Sequence, residues 1–160
     1  MGWYVRNISE MKWWDVGPRG FVTELVDDER PQVGANLFVL APGQPMSMYH
    51  WETDQEGFLV LSGEALLIVE NEERPLRAWD YFHCPPDVSH TIVGAGSGPA
   101  AILAIGARAQ QDGPDWGGYP YSELAMKHDA SAEEETTDPK IAYARFPSGK
   151  PGEFHKGWLP

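Results

Sequence analysis

Apolar residues along this chain recur in short blocks divided by Pro, Gly and acidic breaks. That pattern predicts β-segments rather than helices. Phe21–Val26 is closed by the Asp27–Pro31 break, and Val33–Leu40 follows. Pro42-Gly43 and Pro45 interrupt the chain before Met46–His50. Gly57–Leu61 and Glu64–Val69 flank Ser62-Gly63, which reads as the tight turn of a hairpin. The polar stretch Glu70-Asn71-Glu72-Glu73 reads as a second turn. Tyr81–Cys84 leads into Pro85-Pro86-Asp87, and His90–Val93 and Ala101–Ala107 come after it. No period of roughly 20–50 residues recurs, which argues against a solenoid or propeller.

Strands this closely spaced, with no helical segments between them, predict an all-β antiparallel sandwich or barrel. Leu66-Leu67-Ile68-Val69 and Ala101-Ile102-Leu103-Ala104-Ile105 are apolar on both faces. Such strands are covered twice, by the interior and by a second layer or a partner chain, so both are candidates for a homodimer surface. The pattern changes near residue 111. Tyr121–His128 suits one or two helical turns. Ser131-Ala132-Glu133-Glu134 has the form of a capping box, and Asp138-Pro139 reads as a helix start with Pro at N1. Phe154 and Trp158 in the tail, like Trp3, Trp13 and Trp14 near the start, predict arms that pack across the barrel or a neighbouring subunit. The expected organisation is an N-terminal arm at 1–20, a barrel at 21–110 and a C-terminal extension at 111–160 with short helices.

Composition fits this picture. A chain of 160 residues with 42% hydrophobic positions suffices for one domain with its own core. Its 17 Gly and 14 Pro suit short strands and many turns. The formal net charge of −12 opposes binding to nucleic-acid phosphates or to anionic lipid. The single cysteine, Cys84, excludes an internal disulfide. No signal peptide and no spanning segment is visible, so the expected location is the cytoplasm.

The chemistry concentrates between Gly43 and Gly94. His50 and Glu52 stand two apart and share one face of a strand. Glu56 lies beyond the Thr53–Gln55 turn, and His90 follows the Pro-Pro-Asp turn. Two imidazoles and two carboxylates converging inside a barrel make a nitrogen and oxygen donor set suited to a divalent iron, manganese, zinc or nickel ion. A cation also relieves the repulsion of two buried carboxylates. Glu52 has three open roles: a ligand, a group facing water at the barrel mouth, or a general base beside the metal, the last making it the candidate catalytic residue.

These residues resemble the two motifs of the cupin superfamily. Gly43, His50, Glu56 and Gly63 take the places of the first motif's Gly, first His, Glu and final Gly, with one additional residue between Gly43 and His50. Asp80, Pro85 and His90 match the second motif. The resemblance implies a single jelly-roll barrel (a double-stranded β-helix) with His50, Glu56 and His90 as metal ligands. Three positions depart from the pattern. Glu52 replaces the second His of the first motif, and a carboxylate ligates as imidazole does. Trp79 replaces the Gly before Asp80, read as a packing change. Asp87 replaces the turn Gly, and Asp tolerates positive φ.

His83 matches no ligand position and reads as structural, and Cys84 reads as a small buried hydrophobe. Tyr49, Trp51, Phe58, Tyr81 and Phe82 are either pocket-lining or core residues. Nothing links His128 or His155 to the site. The resulting expectation is a metal-binding cupin acting on, or binding, a small organic molecule within the barrel. If it is an enzyme, the resemblance implies a dioxygenase, isomerase or decarboxylase. A non-catalytic sensor and a metal-free structural cupin are the alternatives.

Overall fold

A computed structural model of the protein describes residues 3–110, 113 and 115–159. In chain order the strands are β1 Trp13–Asp15, β2 Phe21–Glu24, β3 Val33–Leu40, β4 Trp51–Glu52, β5 Glu56–Ser62, β6 Glu64–Val69, β7 Glu72–Arg77, β8 Tyr81–Cys84, β9 His90–Ala95, β10 Ala100–Ala107, β11 Gly117–Gly118 and β12 Lys150–Gly152. Two one-turn helices, α1 Glu123–Met126 and α2 Pro139–Ala142, fall between the last two strands. No helix among the described residues is long and apolar enough to cross a membrane.

The strands form two facing sheets. The larger has the order β12-β1-β2-β3-β10-β5-β8, and the smaller has the order β7-β6-β9. Antiparallel bridges at Pro45–Val93 and His50–His90 run the 45–50 segment beside β9, and β4 continues it to pair with β11. This is the jelly-roll architecture expected from the sequence. Both arms contribute to it, since β1 comes from the N-terminal arm and β12 from the C-terminal extension.

Alternation along β3 explains the layering. Leu40 points between the sheets into a core with Met46, Phe58, Val60, Leu67, Ile92 and Ile102. Leu37 and Val39 point the other way and are covered by Trp13, Phe21, Phe154 and Trp158. The aromatic arms therefore form the second layer over the large sheet. On the small sheet, Ile68 is fully buried against Tyr49, Val93, Ala125 and Ala130, so the segment around α1 covers it. Burial of such a side chain stabilises by roughly 1.5–3 kcal/mol.

Four sequence expectations change. Ser62-Gly63 does not close a hairpin, because β5 and β6 belong to different sheets. Gly63 (φ 75°) is instead a corner, and a Cβ there would lie 2.4 Å from the Pro99 carbonyl oxygen. The second turn is only Glu70-Asn71, both with positive φ as a two-residue hairpin loop requires, and β7 begins at once after it. β7 escaped the apolar pattern because it is an edge strand carrying charges and Pro75, the composition that blocks further pairing. Ser131 opens no helix. Its buried hydroxyl accepts from the Ser122 N–H at 3.0 Å and donates to the Ala132 carbonyl at 3.0 Å, so it braces the start of α1. Trp79 is no packing substitution either, being 71% exposed with φ 75°. Elsewhere the local signals match the fold: Asp87 has φ 64°, and Asp138 caps α2 with Pro139 at its first position.

Candidate metal centre

His50 and His90 face each other as a hydrogen-bonded antiparallel pair. The His90 N–H donates to the His50 carbonyl at 2.8 Å, and the His50 N–H returns the bond at 3.1 Å. Side chains so paired lie on one side of the ladder, and the two ring centroids are 4.8 Å apart. Glu56 comes from the first position of β5 in the opposite sheet. Its Oε2 lies 3.4 Å from His90 Nε2 and 4.0 Å from His50 Nε2.

Backbone carbonyls set both ring orientations. His50 Nδ1 lies 2.8 Å from the Met48 carbonyl and His90 Nδ1 lies 3.1 Å from that of Val88. A carbonyl only accepts, so each Nδ1 carries the proton, and in the neutral ring each Nε2 turns a lone pair toward Glu56. Fixing one imidazole nitrogen in this way is how proteins orient a metal-ligating histidine.

Burial is the largest single influence on the titration of all three donors. Burial, reinforced by the charge of His50, pushes His90 down to about 3. Burial pushes the Glu56 carboxyl up to about 7, with His50 and Arg108 pulling down and Glu52 and Asp54 pushing up. Burial also pulls on His50, but Glu52 and Glu56 outweigh it and its net shift is upward. Glu56 Oε2 and His90 Nε2 are buried with no hydrogen-bond partner among the described residues. A lone pair against a carboxylate oxygen is satisfied by a metal ion between them, or by a proton on the carboxyl. Ligand atoms of His50, Glu56 and His90 all lie within 4.8 Å of one another. Donors bound about 2.0–2.2 Å from one ion stand roughly 3–4 Å apart, so this set fits a divalent metal.

Glu52 stands at the margin of this group. It reaches His50 Nε2 at 3.7 Å and Arg108 Nη1 at 3.8 Å. Beside it opens a cavity of about 200 Å³, bordered by Arg19, Arg108, Tyr119 and Tyr143. Of the aromatic residues weighed from the sequence, Phe58 borders the cavity. Tyr49 is buried under α1, Tyr81 is exposed, and Trp51 packs on Gly118. His83 is exposed, His128 pairs with Glu73, and His155 packs on Trp158. Cys84 is buried, and burial with the nearby Glu56 and Glu52 charges pushes its thiol up to about 12.

Residues 36–106 match the family model for the cupin domain. This matched segment is a cupin domain. No curated protein matches the chain, but solved structures do. A sugar phosphate isomerase of the cupin superfamily from Silicibacter pomeroyi is 25% identical, with TM-score 0.57 over 64% of this chain and 74% of that one. A cupin 2 conserved barrel domain protein from Salinispora arenicola is 19% identical, with TM-score 0.56 over 68% and 92%. A candidate sugar phosphate isomerase from Acidithiobacillus ferrooxidans is 25% identical with TM-score 0.48, covering 55% of this chain, which spans 61% of that protein's length. His50, Glu56 and His90 lie inside the matched segment, whereas Arg19, Arg108, Tyr119 and Tyr143 lie outside it. The sequence reading singled out none of those four. No local motif marks them, because they come together only through strand pairing and the docking of both arms.

Proposed function

We propose that this cupin binds one divalent metal ion through His50, Glu56 and His90 and acts on a small organic molecule held in the adjoining cavity. The observation that carries the reading is the buried pair of unpartnered donors, His90 Nε2 and Glu56 Oε2, 3.4 Å apart. Iron, manganese, zinc and nickel all suit two imidazoles with a carboxylate. Such an ion supplies a Lewis acid for a substrate carbonyl or enolate oxygen.

The chain's own residues provide the rest. Glu52 borders the cavity, so it serves as the general base that takes a proton from a carbon or hydroxyl of the bound molecule. Arg108, 3.8 Å away, pairs with that carboxylate at the edge of the cavity. Phe58 and Phe38 give the cavity an apolar wall that limits water near the reacting group. The isomerase described for Silicibacter, 25% identical, supports the isomerase class over dioxygenase or decarboxylase. Proton transfer by one carboxylate is the chemistry that class needs.

The test is elemental analysis of untagged protein from cells grown with all four metals supplied. One equivalent of metal in the wild type, lost in both His50→Ala and His90→Ala, is expected. A folded wild type with no stoichiometric metal refutes the reading.

A further inference from the structure

The chain carries a formal net charge of −12, yet two of its guanidinium groups border one cavity of about 200 Å³. Arg108 is fully accounted for. It pairs with Glu52 and lies over Gly34 and Gly106, cross-strand partners in β3 and β10. A Cβ on Gly34 would stand 2.5 Å from its Nη2, so a side chain there would displace this guanidinium.

Arg19 is different. It ends the Gly17–Arg19 turn between β1 and β2, and Gly20 after it (φ 81°) lies so close to β3 that a Cβ would meet the Val39 carbonyl oxygen at 2.3 Å. The guanidinium carbon stands 4.7 Å from the Tyr143 ring centroid and 5.7 Å from that of Phe146. These rings hold its flat face and leave its N–H edge unspent. Its Nε is buried with no hydrogen-bond partner, and no carboxylate pairs with it among the described residues. A buried donor in that condition calls for an acceptor. Beside it, the Tyr143 hydroxyl accepts the Met48 N–H at 3.1 Å, which leaves the phenolic proton for a further acceptor.

Charge points the same way. The two guanidiniums balance Glu52 and Glu56, so a divalent ion on the donors leaves the cavity with an uncompensated positive charge. The volume falls below the roughly 300–1,000 Å³ of sites for drug-sized ligands. We propose that the ligand is a small organic anion whose oxyanion head, a carboxylate or phosphate, is bound by the Arg19 guanidinium and the Tyr143 hydroxyl. This names the substrate class of the metal site proposed above and rests on that reading for the other end of the molecule. The Arg19 subsite itself does not depend on the metal. It lies outside the cupin segment at 36–106, so the arms, not the barrel, select the substrate.

The experiment is titration calorimetry of the full-length protein, as isolated and after chelation, with malonate, inorganic phosphate and uncharged malonamide as probes. Metal content is measured on every sample. At least one anion is expected to bind and malonamide not to, and the anion that binds assigns the head as carboxylate or phosphate. A charge-assisted hydrogen bond contributes about 1.5–3 kcal/mol, so Arg19→Gln is expected to weaken the anion by about tenfold or more. Arg19→Lys retains part of the affinity, Tyr143→Phe loses a smaller factor, and metal content stays unchanged in all three. Failure of both anions to bind, equal binding of malonamide, or an Arg19→Gln affinity equal to wild type overturns the proposal. If Arg19→Gln fails to fold, unchanged affinity in both Arg19→Lys and Tyr143→Phe overturns it. A wild type without metal that binds an anion through Arg19 refutes the metal reading alone.

Discussion

Replacing Glu56 with Gln separates what this residue does for folding from what it does for metal. In metal-free protein above neutral pH, Glu56 is ionised where burial disfavours the charge, and its pKa stands at about 7 against an ordinary 4.5. The folded state thus holds the proton more tightly than the unfolded chain. Stability falls as pH rises from 4.5 to about 7 and is level above that. At about 1.36 kcal/mol per pKa unit the penalty at pH 8 is about 3 kcal/mol. Gln carries no charge, and its amide can donate to His90 Nε2, 3.4 Å from the present oxygen. Glu56→Gln in chelator at pH 8 is therefore expected to be more stable than wild type by about 3 kcal/mol. With a urea slope of about 2 kcal/mol/M, the midpoint rises by about 1.5 M, read by tryptophan fluorescence. At pH 4.5 the difference vanishes. His90, held down at about 3, destabilises the fold as pH drops below its ordinary 6.5, and in wild type this opposes the Glu56 slope. The variant loses that opposition, so its stability climbs steadily between those values. With saturating metal the order reverses, because wild type gains binding energy that the amide cannot match. A Glu56→Gln protein less stable than wild type in chelator at pH 8 refutes the reasoning.

Three further outcomes follow from other parts of the molecule. Trp79 is exposed with φ 75°, a left-handed conformation that strains a bulky residue, so Trp79→Gly is expected to raise unfolding stability by about 0.5–1 kcal/mol; a lower stability counts against it. Cys84, with its thiol at about 12 against an ordinary 9.0, should carry about a thousandfold less thiolate than a free cysteine and react with iodoacetamide only in urea; rapid alkylation of folded protein contradicts this. Val33, Tyr81 and Ile105 leave an apolar patch on the large sheet, and we propose a homodimer across it: light scattering should give twice 17.8 kDa and Ile105→Glu a single chain mass, while a wild-type monomer rules it out.

The sequence carried the fold because its apolar blocks are short and bounded by Pro, Gly and acidic breaks. β3, β6, β9 and β10 fall close to where the apolar blocks predict them. It carried the donor set because His50, Glu56 and His90 lie near turns whose Pro, Gly and Asp residues fix strand starts. It could not carry β7, whose edge position selects charges and a proline over apolar alternation. Nor could it distinguish the corner at Gly63 from a hairpin turn, since both need a positive φ and only long-range pairing separates them. Arg19, Arg108, Tyr119 and Tyr143 were illegible for the same reason: they are distant in sequence and meet only where arms and sheets dock.

That difference in legibility reflects how the two halves of the site are held. The imidazoles are set by reciprocal backbone bonds between His50 and His90 and by ring bonds to Met48 and Val88. Moving them means breaking the ladder that makes the barrel. Arg19 and Tyr143 sit on a single turn and at the end of a one-turn helix, and Tyr143 is anchored to the barrel by its bond from Met48. Exchanging such short elements leaves the core between the sheets untouched, so the head group a cupin recognises can change while its donor set stays. Exchange of the Gly17–Arg19 turn should accordingly alter anion preference without altering metal content. A swap that removed the metal would show instead that the arms help to hold the donors.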